Sequence, residues 1–248
     1  MSSLLPLELR KAPLVETIFE FRFSGTKEPL AEILVGLLYS GLPQDETKLE
    51  PLPLANVPRE FREKDKNLRY LASHRLNYGN NHISVGDHVL AFSQTIPYGG
   101  WAEFERQVEA MLGESLKTNL IQTIERYSLK AVNIIPAEEG AQLSLLNARF
   151  EVGGNSAPER GFRFRTELVS KDLTTILEII TGANATLPDG QIRSGLLVQL
   201  DALRQSEVEQ IRTHPDACLR QLHDNLKSLF FGLLTDSTIH ALEPIWAN

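Results

Sequence analysis

The chain has 248 residues, of which 42% are hydrophobic and 23% are charged, as is typical of a globular protein with one large or two small domains. Its net charge is −7, with 15 basic and 19 acidic side chains in residues 1–140 and 10 and 13 in residues 141–248. An evenly acidic chain is a poor candidate for nonspecific binding to nucleic acid or anionic membranes. A single cysteine, Cys218, excludes an intramolecular disulfide and a cysteine-based zinc site.

The start of the chain carries no basic region before an apolar run, so we predict no signal peptide. No apolar run approaches the roughly 20 residues that a membrane-spanning helix needs. The predicted location is therefore cytoplasmic, without a membrane partner.

The first half of the chain alternates strand and helix patterns. Val15 to Phe23 places apolar residues on one face of a strand, and an apolar stripe between Pro29 and Gly41 predicts a helix. Three short strands follow between residues 69 and 95, then a helix that begins at Trp101 and a strand over residues 127–135. This order is the ferredoxin-like β-α-β-β-α-β pattern with one extra short strand.

Residues 42–67 interrupt this pattern with four prolines, which disfavour regular elements. The charge-dense run from Arg59 to Lys66 is typical of a solvated loop or a short surface helix. We predict a mobile surface excursion here, with a partner-binding segment as the functional alternative.

The second half has a different organisation. Strands are predicted at 143–152, 161–169, 174–181 and 194–203, and an apolar stripe predicts a long helix from Asp216 to Leu234. Thr235 can cap a last short helix. The sequence thus predicts an α+β protein in which a ferredoxin-like half, residues 1–136, packs on a second antiparallel sheet with a long C-terminal helix, residues 137–248. The short connection near residue 136 predicts a shared core.

Two sets of residues are candidate interaction sites. Tyr98 and Trp101 precede or open the central helix and would mark an interface if both were exposed, although packing in the core also explains them. Arg163 and Arg165 alternate with phenylalanines in a strand that partly resembles an RNA-recognition motif. The favoured interpretation is a strand with its phenylalanines in the core and its arginines in water.

We predict no catalytic, cofactor-binding or metal-binding residues. His74, His82 and His88 fall on neighbouring strands, but their spacing matches no metal-ligand pattern. Cys218 has no base at helical spacing, and His223 and Asp224 point about 100° apart on a helix, which argues against a simple dyad.

Several segments resemble conserved blocks of a sporadically distributed family of uncharacterised bacterial proteins. These segments are Pro13–Phe23, Gly100–Phe104, Arg126–Ile135 and Leu222–Asp224 through Leu234–Asp236. The resemblance spans nearly the whole chain but implies no activity or catalytic residues. The resemblance implies an arginine in most family members where Ile134 stands, and this departure weakens the idea that a charge at that position is essential here. The scattered distribution of the family implies an accessory gene, such as an antitoxin-like or phage-defence component.

The predicted function is a non-enzymatic binding protein with a protein partner, and a homo-oligomer is compatible with the sequence. One alternative is an RNA-binding or RNA-processing protein that uses the ferredoxin-like half, although the charge makes nucleic acid a poor partner. The other alternative is an enzyme whose pocket leaves no motif in the sequence.

Overall fold

The computed structural model describes residues 5–25, 29–158, 160–170 and 172–246. Within these ranges the α-helices are α1 (Leu30–Ser40), α2 (Arg59–Lys64), α3 (Trp101–Lys117), α4 (Pro215–Leu233) and α5 (Asp236–Ala241). Short 3₁₀ helices cover Pro53–Asn56, Leu143–Leu145 and Val208–Arg212. The helices predicted from Pro29, Trp101, Asp216 and Thr235 are confirmed.

The strands of the described chain are β1 (Glu8–Leu9), β2 (Leu14–Gly25), β3 (Lys48–Pro51), β4 (His74–Tyr78), β5 (Asn81–Val85), β6 (Val89–Thr95), β7 (Ile121–Pro136), β8 (Glu151–Val152), β9 (Asn155–Ser156), β10 (Arg163–Ser170), β11 (Leu173–Thr186), β12 (Ile192–Arg204) and β13 (Pro244–Ile245). β1 pairs with β13, and β8 pairs with β9. The remaining nine strands form one sheet.

The order of the large sheet is β10-β11-β12-β7-β2-β6-β5-β4-β3. The pairs β10–β11, β3–β4, β4–β5 and β5–β6 are antiparallel. Helices with a large antiparallel sheet confirm the α+β class, but the prediction of a second antiparallel sheet is wrong. β10, β11 and β12 belong to the same sheet, because β12 is hydrogen-bonded to the long strand β7.

The described residues fall into two compact units. The α3 unit comprises those within Thr17–Leu129 and Leu203–Arg220, and the β10 unit comprises those within Met1–Glu16, Lys130–Ala202 and Gln221–Asn248. Both units are assembled from separate parts of the chain. The predicted division at residues 136–137 and the shared core stay predictions.

Helices α1 and α3 of the α3 unit pack against each other and against one face of its strands. Alternation along β2 aims every second side chain at these helices. The buried residues on this face include Phe19, Phe21, Phe23, Leu76, Ile83, Leu90 and Phe92 from strands and Leu30, Leu34, Phe104 and Val108 from helices. The opposite face of these strands carries half-exposed polar side chains, among them Arg22 and Arg75.

The core of the β10 unit combines alternate residues of β11 and β12 with the part of α4 that belongs to this unit. Its buried side chains include Leu177, Ile179, Leu196, Val198, Leu200, Leu222 and Leu226. The Thr235 hydroxyl accepts a hydrogen bond from the Thr238 backbone N–H at 3.3 Å and so caps α5.

The predicted strand over residues 143–152 is wrong except for the two residues of β8. The segment begins as a 3₁₀ helix, and its backbone then bonds to the end of α4 rather than to the sheet. The Asn147 N–H donates to the Leu233 carbonyl at 2.7 Å, and the Thr235 N–H donates to the Leu145 carbonyl at 3.0 Å. Its apolar alternation therefore reflects packing beside a helix end, a setting that local periodicity does not distinguish from a strand.

Residues 42–67 contain more regular structure than their prolines predict. Lys48–Pro51 forms β3, an edge strand paired with β4, and Arg59–Lys64 forms α2. Leu54 and Arg62 from this segment are buried. Pro51 is compatible with β3 because it ends an edge strand. On the outer side of such a strand no neighbouring strand is present, so the missing N–H of a proline costs no hydrogen bond there.

Candidate interaction surfaces

Tyr98 and Trp101 lie together on the Phe104 side chain. The Tyr98 and Phe104 ring centroids are 6.3 Å apart, and the Trp101 ring stacks on Phe104 at 5.9 Å. Both predicted residues are half-buried, and burial raises the pKa of Tyr98. Packing against the α3 unit thus accounts for part of each ring, and their role in an interface stays a prediction.

Arg163 and Arg165 lie on the exposed face of β10, each beside a carboxylate. The Arg163 Nε is 3.3 Å from Glu178 Oε1, and the Arg165 Nη2 is 3.4 Å from Glu167 Oε1. Their side chains remain 70% and 54% exposed, so the ion pairs are weak surface contacts. The positive charge predicted for this strand is balanced locally, which weakens its attraction for a phosphate backbone.

The histidines of the α3 unit each contact a nearby polar atom. A ring nitrogen of His74 lies 3.0 Å from Ser73 Oγ, one of His82 lies 2.7 Å from Asn77 Oδ1, and one of His88 lies 3.2 Å from the Phe23 carbonyl. Within the described residues no group of three or more His, Cys, Asp or Glu side chains is arranged to hold a metal ion.

Cys218 is buried beside the Tyr127 hydroxyl in the α3 unit. Burial, together with this thiol, raises the pKa of Tyr127, so the phenol stays protonated at neutral pH. Only 4% of Cys218 is exposed, so a solvent-borne reagent has little access to the sulfur.

His223 and Asp224 approach each other despite their adjacent positions on α4. His223 Nδ1 lies 3.4 Å from Asp224 Oδ1, at the long end of hydrogen-bond distances. Burial lowers the pKa of His223, while the Asp224 carboxylate opposes this shift. The half-buried imidazole is therefore mostly neutral at pH 7.

This lowered pKa predicts a pH dependence of folding. The folded chain favours neutral His223, so its contribution to stability is present above the unfolded pKa of about 6.5 and is lost as pH falls through the folded pKa. Urea unfolding at pH 7.5 and 5.5 should show a smaller loss of stability in His223→Gln than in the unmodified protein. Asp224→Asn should increase the loss, because it removes the carboxylate that raises the pKa. An identical pH dependence in all three proteins would contradict this assignment.

A network of charged side chains lies on the α3-unit sheet face opposite α1 and α3. We call Arg22, Arg69, Arg126, Glu20, Glu125 and Tyr70 the arginine cluster. Glu20 Oε1 accepts from Arg22 Nε at 2.7 Å and from Arg126 Nη2 at 2.6 Å. Alternation along β2 directs Glu20 and Arg22 away from the buried phenylalanines and so creates this half of the cluster.

The turn before β4 supplies the other half. Glu125 accepts one hydrogen bond from Arg69 Nη2 at 3.0 Å and another from the Tyr70 hydroxyl. The Arg22 guanidinium lies 4.6 Å from the Tyr70 ring centroid and joins the two halves through a cation–π contact. Partial burial and the Glu125 carboxylate raise the pKa of Tyr70, so its hydroxyl remains a donor.

Donors outnumber acceptors in the arginine cluster. Its three guanidinium groups share two carboxylates, so the cluster has one more cation than anion. The charged side chains are between 18% and 35% exposed, so part of each side chain is reachable from solvent. Such a site favours an additional carboxylate or another anionic acceptor.

Neither the protein-family models nor the curated proteins provide a match for this chain. The resemblance to the sporadically distributed bacterial family therefore stays a prediction. None of the described helices has the length and apolar character needed to cross a lipid bilayer.

A cavity of about 480 Å³ lies in the β10 unit. Ile135, Leu145 and Leu242 form part of its apolar wall, and Lys11 and Arg193 stand at its polar side. Both cations have partners, because Lys11 Nζ lies 2.7 Å from Glu243 and Arg193 Nη1 donates to two backbone carbonyls at 3.3 Å. The cavity thus has no strong polar site comparable to the arginine cluster.

Sequence reasoning missed the arginine cluster because its members come from three distant segments. Glu20 and Arg22 lie on β2, Arg69 and Tyr70 precede β4, and Glu125 and Arg126 lie on β7. The available signal was the outward pair of opposite charges on an otherwise apolar strand. That signal identifies an exposed face but not the other residues that meet it.

Proposed function

We propose that this chain is a non-enzymatic binding protein that recognises an acidic segment of a protein partner through the arginine cluster. The observation that carries the proposal is the excess of three guanidinium groups over two carboxylates on a partly solvent-accessible sheet face. Arginine and tyrosine are also the side chains most enriched at energetically important interface positions. The resemblance to a scattered bacterial family supports an accessory or antitoxin-like role in a mobile or defence-type system.

The chemistry of the cluster favours carboxylates in the partner. A planar guanidinium presents paired N–H donors that match the two oxygens of a carboxylate. Arg22 and Arg69 are oriented by Glu20, Glu125 and the Tyr70 ring, so binding requires little further ordering of long side chains. The protein as a whole carries a charge of −7, which repels an acidic partner from most of its surface. A local positive site therefore also directs such a partner to bind at the arginine cluster.

Co-purification from the native host tests this proposal with the double variant Arg22→Gln/Arg69→Gln. These changes leave Glu20 its bond from Arg126 and Glu125 its bond from Tyr70, so neither carboxylate loses every partner. We expect a salt-sensitive complex with an acidic protein whose affinity falls at least about tenfold in the double variant. Arg75→Gln is the matched control, because Arg75 lies on the same sheet face and contacts Ser84 instead.

Thermal unfolding of each variant should accompany the binding measurement. Retention of the partner by the folded double variant would place binding outside the arginine cluster. Failure to capture any protein with the unmodified chain would contradict the binding function itself.

RNA binding is the second candidate, and the strand order provides its support. Within the large sheet, β7-β2-β6-β5 are neighbours, with α1 after β2 and α3 after β6. We propose on this basis that the α3 unit has a ferredoxin-like arrangement, in which the open sheet face could receive single-stranded RNA. The acidic net charge favours a protein partner, so we expect nuclease treatment to leave the purified complex intact.

A further inference from the structure

The two outer strands of the large sheet differ in how well their free edges are protected. β3 has four residues, begins with Lys48 and ends with Pro51, which are common protections against strand addition. β10 has eight residues without proline or glycine, and no described strand bonds to its outer side. β10 is therefore open to pairing with another strand.

The hydrogen-bond pattern identifies which groups of β10 face outward. The Thr181 N–H donates to the Phe162 carbonyl at 3.1 Å, which makes residue 162 an inward-bonding position beside β11. Bonding alternates along an antiparallel strand, so Arg163, Arg165, Glu167 and Val169 direct their N–H and C=O groups to the free edge.

Exposed apolar side chains lie along the same strand as this free edge. Leu168 is 41% exposed and Val169 is 75% exposed, on opposite faces of the strand. On the Leu168 face, Phe164 packs against Phe150 at a centroid distance of 5.2 Å. A strand that paired with β10 would therefore gain apolar contacts as well as backbone hydrogen bonds.

We propose that β10 pairs antiparallel with β10 of a second copy of this chain, with Thr166 opposite Thr166 of the second copy. In that register Arg165 stands opposite Glu167 twice, and Phe164 stands opposite Leu168 twice. Arg163 faces Val169, which its aliphatic stem can cover. The outward groups of Arg165 and Glu167 also meet, so each such pair can exchange hydrogen bonds in both directions.

Charge selects this register over its neighbours. In a pair of antiparallel β10 strands, residues whose backbone groups point to the free edge must face each other. Every symmetric alternative therefore keeps this rule and places another single residue, such as Arg165 or Glu167, at its centre. Centring on Arg165 or Glu167 places like charges directly opposite each other. Centring on Phe164 opposes Arg163 and Arg165, and centring on Leu168 places Glu167 opposite Val169 and leaves Arg165 without a facing residue within β10. Only the Thr166-centred register of these five pairs opposite charges without a like-charge pair.

Analytical ultracentrifugation over a concentration series tests the proposal. The unmodified protein should form a reversible dimer, because one strand pair is a small interface. Arg165→Glu and Glu167→Arg should each weaken the dimer by about tenfold or more, since both cross-strand pairs become repulsive. Mixing the two single variants should restore a dimer, because each reversed charge then meets an opposite charge on the other chain.

The mixing result separates dimerisation from monomer stability. Arg165→Glu also places a carboxylate opposite Glu178 within its own chain, and mixing cannot relieve that repulsion. The double variant Arg165→Glu/Glu167→Arg should dimerise with itself but not with the unmodified protein. A chain that stays monomeric at about 1 mM, or single variants that dimerise unchanged, would overturn the proposal.

Disulfide trapping provides an independent measurement. Thr166→Cys should cross-link two copies under mild oxidation, because facing residues of a non-hydrogen-bonded pair approach closely enough for a disulfide. Ser170→Cys is the matched control, since its counterpart in the second copy would lie roughly 27 Å away along the strand. The native Cys218 is buried and should not compete. Equal cross-linking of both variants, or of neither, would contradict the register.

Discussion

Replacing Asp87 with alanine is expected to lower the free energy of unfolding by about 3–5 kcal/mol, because the change leaves Arg62 buried without its countercharge. Arg62 Nη1 lies 3.2 Å from Asp87 Oδ2, and the two side chains are only 7% and 6% exposed. The next carboxylate, on Glu32, lies 3.9 Å from Arg62 Nη2 and is largely exposed, so it compensates poorly. Urea unfolding followed by circular dichroism measures the effect.

Two further variants distinguish a buried charge from a general weakening of α2. Glu63→Ala breaks the exposed Arg59–Glu63 pair of the same helix, which is worth about 0–1 kcal/mol. Arg62→Leu/Asp87→Leu removes both buried charges and should recover most of the lost stability. Recovery is favoured because Arg62 Nε and Asp87 Oδ1 already lack hydrogen-bond partners among the described residues. A double variant as unstable as Asp87→Ala would contradict the charge explanation.

This ion pair shows why residues 42–67 were difficult to predict. The run from Arg59 to Lys66 has the composition of a solvated surface, and most of its side chains are exposed. Arg62 is the exception, because the turn at Asp87 brings a carboxylate to a site near α2. No local pattern reveals a partner 25 positions away. The predicted mobility of the segment stays a prediction, but Arg62 and the ladder between β3 and β4 oppose it.

Elements whose burial follows a local period were predicted well. Phe19, Phe21 and Phe23 alternate along β2, and Phe104 and Val108 repeat with helical spacing along α3. The same periods contain no information about which strands become neighbours. The hairpin β11–β12 could have formed a second sheet or extended the first, and only its pairing beside β7 decides between these outcomes.

The candidate sites show the same limit. Arg163 and Arg165 were found because they alternate with phenylalanines within one strand, and their exposure follows from that alternation. The arginine cluster was missed because it depends on the turn before β4 lying beside β2 and β7. The opposite charges of Arg165 and Glu167 on either side of Thr166 can be read from the sequence. They bear on strand pairing only once β10 is known to be an outer strand.

Close approach of two strands requires a glycine in the β10 unit. A Cβ atom at Gly195 of β12 would lie 2.0 Å from the Ile135 carbonyl oxygen and 3.0 Å from Pro136 Cα. Both atoms belong to the backbone of β7, so a change of side-chain rotamer cannot relieve the overlap. The strands must separate, which disrupts the surrounding ladder and the packing of Leu196.

Gly195→Ala is therefore expected to lower the free energy of unfolding by at least about 3 kcal/mol, the upper end of the usual cost of overpacking. Gly36→Ala is the matched control, because Gly36 is exposed within α1 and a Cβ there meets no atom within 4 Å. The control should stabilise the protein by roughly 0.5–1 kcal/mol through the higher helix propensity of alanine. Equal stability of the two variants in urea unfolding would show that β7 and β12 do not approach as closely as Gly195 permits.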